Sequence, residues 1–123
     1  MNITQEFGNA SYVIRGYLSN AVIVNGTSFT RSLIVMPQSL HADWEPQGLE
    51  DLKESHLEQV AALGPDLVLL GTGKRLQFPD RAVQIFFLQR NIGIEFMDTA
   101  AACRTYNILM AEGRNIACAL LLG

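Results

Sequence analysis

The segment Gly71-Thr72-Gly73-Lys74 carries the residue types that most readily hold an anion. Glycines let successive backbone N–H groups converge on a negative charge, and an adjacent lysine adds a cation. The segment follows the apolar run Leu67-Val68-Leu69-Leu70 directly. A tight glycine turn at the carboxyl end of a parallel strand is where α/β folds take up ligands. The known phosphate motifs are incomplete here. A dinucleotide fingerprint calls for a third glycine where Leu76 stands, and a GxxxxGK phosphate loop calls for glycine and a hydroxyl residue where Val68 and Arg75 stand. The competing reading is a glycine turn that permits close packing.

A second segment, Thr99-Ala100-Ala101-Ala102-Cys103-Arg104, reads as the start of a helix. Its first turn would offer unpaired N–H groups and a positive dipole end, both favourable to an anion. If the strands ending at Leu70 and Met97 are parallel neighbours, the two loops meet at one edge. Gly71, Thr72, Gly73, Thr99 and Arg104 would then line one pocket, with Lys74 as a further cation. The plainer alternative is that Asp98 only caps the helix and Arg104 is a surface residue.

Other chemistries find less support. Cys103 near a helix N-terminus has the position of an activated thiol, yet no base neighbours it in sequence, and only His41 or His56 would reach it through space. A buried structural thiol is the favoured reading. The two histidines lack HxxxH or HExxH spacing, so no metal site is expected. No GxSxG, SxxK or paired-carboxylate motif appears, and no catalytic residue is assigned. Glu50, Asp51, Glu54 and Glu58 read as a solvated helix face. Trp44, in a polar loop with Pro46, reads as a lid on the core, with a partner anchor as the alternative.

These residues need a scaffold, and the hydrophobic pattern supplies one. Ser11 to Leu18, Ala21 to Val24 and Phe29 to Met36 read as closely spaced strands of antiparallel hairpins. Asn25-Gly26 suits a type I′ turn, and Pro37 ends the third strand before a polar loop over 37–48. The spacing from Leu49 to Leu63 is helical and stops at Gly64-Pro65. From residue 66 onward the order is β-α-β-α-β. Asp66 to Leu70 forms a doubly buried strand, a helix opens at Pro79-Asp80, and Ile94 to Met97 forms a short strand. A helix over Ala100–Glu112 and a last strand over Ile116–Leu122 follow. This order implies right-handed crossovers and a mainly parallel sheet with helices against it. The β-rich first third adds strands to that sheet or forms a layer beside it.

The chain has 123 residues, enough for one domain over 1–123, and 49% of them are hydrophobic, so it folds rather than staying disordered. Formal net charge is -3, from 9 basic and 12 acidic residues, which argues against nucleic acid as a partner. No apolar run approaches the roughly 20 residues of a membrane span, so no membrane insertion is expected. Cys103 and Cys118 read as reduced, buried thiols, a disulfide being the alternative. Met1-Asn2-Ile3-Thr4-Gln5-Glu6 has neither the basic nor the apolar region of a leader, so the expected location is cytoplasmic.

The run from Met97 through Asn107 to Leu109, then Glu112-Gly113-Arg114, together with Leu70-Gly71-Thr72-Gly73, resembles a small domain-of-unknown-function family. Its members include the mitochondrial complex I assembly factor 3 and an adipogenesis-associated cytoplasmic protein. The likeness runs from Tyr17 and Trp44 through Leu122. It implies a three-layer α/β domain with a mixed central sheet. It implies no established enzymatic activity and offers no proven catalytic residue to carry over, and no cofactor is expected. It also implies a protein partner, as the mitochondrial relative acts in assembly of a membrane complex. The leading expectation is therefore a non-catalytic interaction or assembly module of the bacterial cytoplasm, with an unidentified protein partner. A homodimer through apolar edge strands stays open. The alternative is a domain, even an enzyme, binding an anion or nucleotide at Gly71–Gly73 and the helix that starts at Thr99.

Overall fold

The computed structural model describes residues 12–18 and 20–122. Met1–Glu6, on which the leader reading rests, and Ser11 lie outside the described residues. Eight strands and three α-helices follow in order: β1 (Ile14–Leu18), β2 (Ala21–Val24), β3 (Thr27–Phe29), β4 (Leu33–Met36), β5 (Ser39–His41), α1 (Glu54–Ala61), β6 (Leu67–Gly71), α2 (Arg81–Leu88), β7 (Gly93–Met97), α3 (Thr99–Ala111) and β8 (Ile116–Leu120).

Strands β1-β2-β3 form an antiparallel sheet, and β5-β4-β8-β6-β7 form a mixed one. In the larger sheet β6 pairs in parallel with β8 and β7, while β4 runs antiparallel to β8 and β5. The three central strands are buried along their whole length because apolar residues point both ways. Leu33, Val35, Leu67, Leu69, Ile116, Cys118 and Leu120 face one layer, packed with Ala102, Cys103, Tyr106 and Met110 of α3 and with Ile14, Val22 and Val24 of the small sheet. Ile34, Met36, Val68, Leu70, Ala117 and Ala119 face the other, packed with Leu57 and Val60 of α1 and Val83, Phe86 and Phe87 of α2. The result is the three-layer α/β arrangement with a mixed central sheet. Each large side chain so buried contributes about 1.5–3 kcal/mol.

Four local expectations need correction. Phe29 to Met36 is not one strand. It breaks at 30–32, so β3 ends the small sheet and β4 enters the large one. Buried Ser32 holds the crossing: its C=O accepts from Trp44 N–H at 2.8 Å, and its hydroxyl oxygen accepts from Leu122 N–H at 2.9 Å. Pro37 does not open a long loop either, because Pro37 and Gln38 turn the chain straight back into β5. The helix expected from Leu49 is interrupted. A 3-10 turn covers Leu49–Asp51, Leu52 and Lys53 are extended, and α1 begins at Glu54. His56 Nδ1 accepts from the Lys53 N–H at 3.0 Å and so fixes the later start. The Asn25-Gly26 turn also departs from type I′, since Asn25 takes φ 55° while Gly26 stays outside the left-handed region.

Candidate functional site

The chain leaves β6 through α2 to β7 on one side, then returns through α3 to β8 on the other side of β6. The two helices lie on opposite faces, so the sheet has its switch of direction at the carboxyl ends of β6 and β8. Gly71-Thr72-Gly73 and Thr99 meet there. A Cβ on Gly71 would lie 2.9 Å from Leu120 Cδ2 and 3.1 Å from Thr99 Cα, so only glycine lets α3 approach β6 this closely. Gly73 takes φ 109°, a conformation that side chains disfavour.

The polar groups of the two loops satisfy each other. Gly73 N–H donates to Thr99 Oγ1 at 2.9 Å, and Thr99 N–H donates to Gly73 C=O at 2.8 Å. The Thr99 hydroxyl, fully buried, donates to Leu121 C=O at 3.3 Å. Thr72 N–H is spent on Met97 C=O at 2.8 Å; its hydroxyl donates to Arg75 C=O at 2.8 Å and accepts Gln77 N–H at 3.1 Å. Asp98 caps α3, its carboxylate accepting from Ala101 N–H at 2.8 Å. The two turns therefore form a latch that docks α3, and the amides of Thr72, Gly73, Thr99 and Ala101 are already engaged.

Lys74 is exposed beside this latch. It lines a crevice of about 220 Å³ with Tyr17, Asn20, Thr30, Gly73, Leu121 and Leu122. It also lines a groove of about 490 Å³ between the loop and the strap over 47–51, where Glu50 and Asp51 stand opposite Lys74 and Arg75. Burial, and then Cys103 and Asp98, hold the Tyr17 hydroxyl above its ordinary range, so near neutrality it faces the crevice protonated. Arg104 is exposed and belongs to the lining of neither hollow.

Cys103 is buried, and desolvation pushes its thiol up to about 12, against a smaller downward pull from Arg104. It is a protonated thiol at neutral pH, as is Cys118, and neither is in a disulfide. His56 is held between Glu45, 2.6 Å from Nε2, and the Lys53 N–H, while His41 Nε2 sits 3.0 Å from the Ser39 hydroxyl. Trp44 is 5% exposed and donates its indole N–H to Gln59 at 3.1 Å. Among the described residues no group of histidine, cysteine or carboxylate side chains is arranged to hold a metal, and no helix is long and apolar enough to cross a membrane.

Two features went unread in the sequence. Tyr106 and Asn107 clamp the beginning of β1 and the residues just before it. The Tyr106 hydroxyl donates to Tyr12 C=O at 2.7 Å, while Asn107 accepts from Ile14 N–H at 3.0 Å and donates to its C=O at 2.6 Å. The position of Asn107 among apolar helix residues was the available signal. The second feature is a run of exposed apolar side chains in one short stretch: Leu76, Phe78, Ile85 and Leu88. Phe78 is 75% exposed and meets Phe96 of β7 edge to face, with ring centroids 6.5 Å apart.

Comparison with known proteins bears on both fold and family. A Xanthomonas campestris protein solved by NMR superposes with a TM-score of 0.84 at 41% identity, covering 100% of this chain and 93% of that one. The "13 kDa major membrane protein" of Francisella tularensis is 27% identical over 122 residues, covering 98% of this chain and 99% of its own length. The human "NADH dehydrogenase [ubiquinone] 1 alpha subcomplex assembly factor 3" is 31% identical over 121 residues, 97% of this chain. This chain spans 65% of that protein's length, and 60% of the Xenopus tropicalis counterpart. The model of the family described as "Protein of unknown function (DUF498/DUF598)" matches residues 14–121, and the chain belongs to that family.

Proposed function

We propose that this chain is a non-catalytic docking module that serves in the assembly of a larger complex, the respiratory NADH dehydrogenase being the assembly named for its relatives. The observation that carries the reading is the exposed apolar set at 76–88. A side chain as large as Phe78, left 75% in water in a stretch that also exposes Leu76, Ile85 and Leu88, is what a partner-binding surface presents before it is covered. The free, buried cysteines fit a reducing cytoplasm. A photo-crosslinking residue at position 78, used in native extract, should capture a stoichiometric protein partner. Repeated capture of none overturns the reading.

A second reading is favoured by one observation, the crevice at the switch of sheet direction with Lys74 on its rim. In it Gly73 lines the crevice, Gly71, Thr72 and Thr99 hold that turn in place from behind, Lys74 supplies charge to a small anion or nucleotide, and Arg104 is the outlying cation. A charge-assisted contact is worth about 1.5–3 kcal/mol, so Lys74→Ala should weaken such a ligand roughly tenfold to a hundredfold. A thermal-shift panel of anions and nucleotides tests it, with Arg104→Ala alongside; no shift with any of them removes this reading.

A further inference from the structure

We infer that the outer edge of β7 is the place where the partner docks, and that it takes an extended polypeptide segment as an added strand. This rests on the docking-module reading and goes further by naming the surface and the chemistry of its occupant. The argument starts from the backbone. Among the described residues β7 is the last strand of the large sheet and pairs on one side only, with β6. In a parallel ladder alternate residues turn both their N–H and their C=O to the same neighbour. Gly93 N–H donates to Asp66 C=O at 3.0 Å, and Met97 C=O accepts from Thr72 N–H at 2.8 Å. Gly93, Glu95 and Met97 thus face β6, and the main-chain groups of Ile94 and Phe96 face outward. Among the described residues nothing bonds to them.

The side chains at this edge say what would fit. Ile94 and Phe96 belong to the layer of α1 and α2, and Phe78 stands against Phe96 there. Glu95 is exposed, and alternation turns it to the opposite face, the one on which Met97 packs. The strand has no proline, so Glu95 is its one charged guard against pairing. An incoming strand would satisfy the outward groups of Ile94 and Phe96, lay an apolar side chain on Phe78 and Phe96, and set a lysine or arginine beside Glu95. A lipid surface offers no fixed row of alternating donors and acceptors at strand spacing for the two residues. A second copy paired about Glu95 would bring two carboxylates together, which is unfavourable.

The probe is a short synthetic peptide alternating valine with lysine, compared with one in which glutamate replaces lysine. Amide exchange and chemical shifts of the full chain are followed by NMR. The lysine peptide should protect and shift the Ile94 and Phe96 amides. Phe78→Ala, at an exposed position where the fold survives truncation, should weaken binding roughly tenfold. Glu95→Lys should turn the preference toward the glutamate peptide, each cross-strand pair contributing about two- to fivefold. Methylating the peptide amides that face β7 should abolish binding, while methylating the alternate amides should not.

Unprotected Ile94 and Phe96 amides at millimolar peptide overturn the inference. So does protection of these amides by anionic phosphatidylglycerol vesicles alone, or by self-association at high protein concentration. The docking reading fails separately, when crosslinking from position 78 captures nothing. A captured partner that leaves the β7 edge exchanging freely sinks only the present inference.

Discussion

Exchanging Thr99 for valine swaps a hydroxyl for a methyl at a position 0% exposed, so shape is nearly kept and hydrogen bonding alone is tested. Gly73 N–H loses its acceptor at 2.9 Å, and Leu121 C=O loses a donor at 3.3 Å. A buried N–H left without a partner costs about 1–3 kcal/mol, and the low half of that range applies because Gly73 is half-buried. The longer second bond adds about 0.5 kcal/mol, and the extra apolar surface of valine offsets part of the total, leaving a net loss of about 1.5 kcal/mol. Thr99→Ser keeps the hydroxyl and removes one methyl, at about 1 kcal/mol. The expected order of stability is therefore threonine, then serine, then valine. A site that only needed filling would reverse the last two. Urea unfolding with a common slope measures the order, and amide exchange at Gly73 should quicken in the valine variant. A valine variant at least as stable as the serine one, with Gly73 still protected, would refute the latch.

Asn107→Ala should remove both partners of the Ile14 main chain and cost about 2–4 kcal/mol in urea unfolding, with faster exchange at the Ile14 amide; a loss under about 0.5 kcal/mol would show that water replaces the clamp. Gly71→Ala should cost about 1–3 kcal/mol, since its new Cβ meets the Thr99 backbone at 3.1 Å and α3 has to shift; an unchanged melting temperature would mean that α3 is loosely docked. Cys103 keeps its proton in the folded state up to about 12, whereas the unfolded thiol releases it near 9.0. The native state then binds more protons between these values, and stability falls as pH rises through that window, by about 1.4 kcal/mol per pH unit at most. Cys103→Ala should flatten the fall between pH 9 and 11, and an identical pH profile for the two proteins would contradict the assigned cause.

The layers were readable because their signals are short-range. Leu67 to Gly71 and Ile116 to Leu120 are continuous apolar runs, and nothing but a doubly covered strand accommodates them. Helices α2 and α3 announced themselves by their caps, Asp80 and Asp98, each with a carboxylate on a first-turn N–H. The misread places are those where one run of suitable residues serves two neighbours. Phe29 to Met36 has unbroken β character apart from Arg31 and Ser32, yet it feeds two sheets, and the partners that break it at Ser32 are Trp44, Gln47 and Leu122. The helical spacing from Leu49 was genuine in the sense that Leu49 and Leu52 pack with the α1 layer; they do so from a 3-10 turn and an extended linker.

The site shows the same limit more sharply. Residue types report what a loop is able to donate, and spacing reports where in the chain the donors lie. Neither reports what already accepts from them. Gly71-Thr72-Gly73 reads as an anion turn because the acceptor of Gly73 N–H is a hydroxyl 26 residues away, on a helix whose own first turn carries the same anion-like signature. Two half-sites that each look open in sequence close on one another when the fold brings them together. Asn107 makes the converse point, since a polar residue on an apolar helix face signals unspent bonding capacity, here taken up by a strand 93 positions earlier. A donor that remains open after folding is therefore better evidence of function than a donor-rich motif. By that criterion the outward main chain of Ile94 and Phe96, beside an uncovered Phe78, outranks the glycine loop.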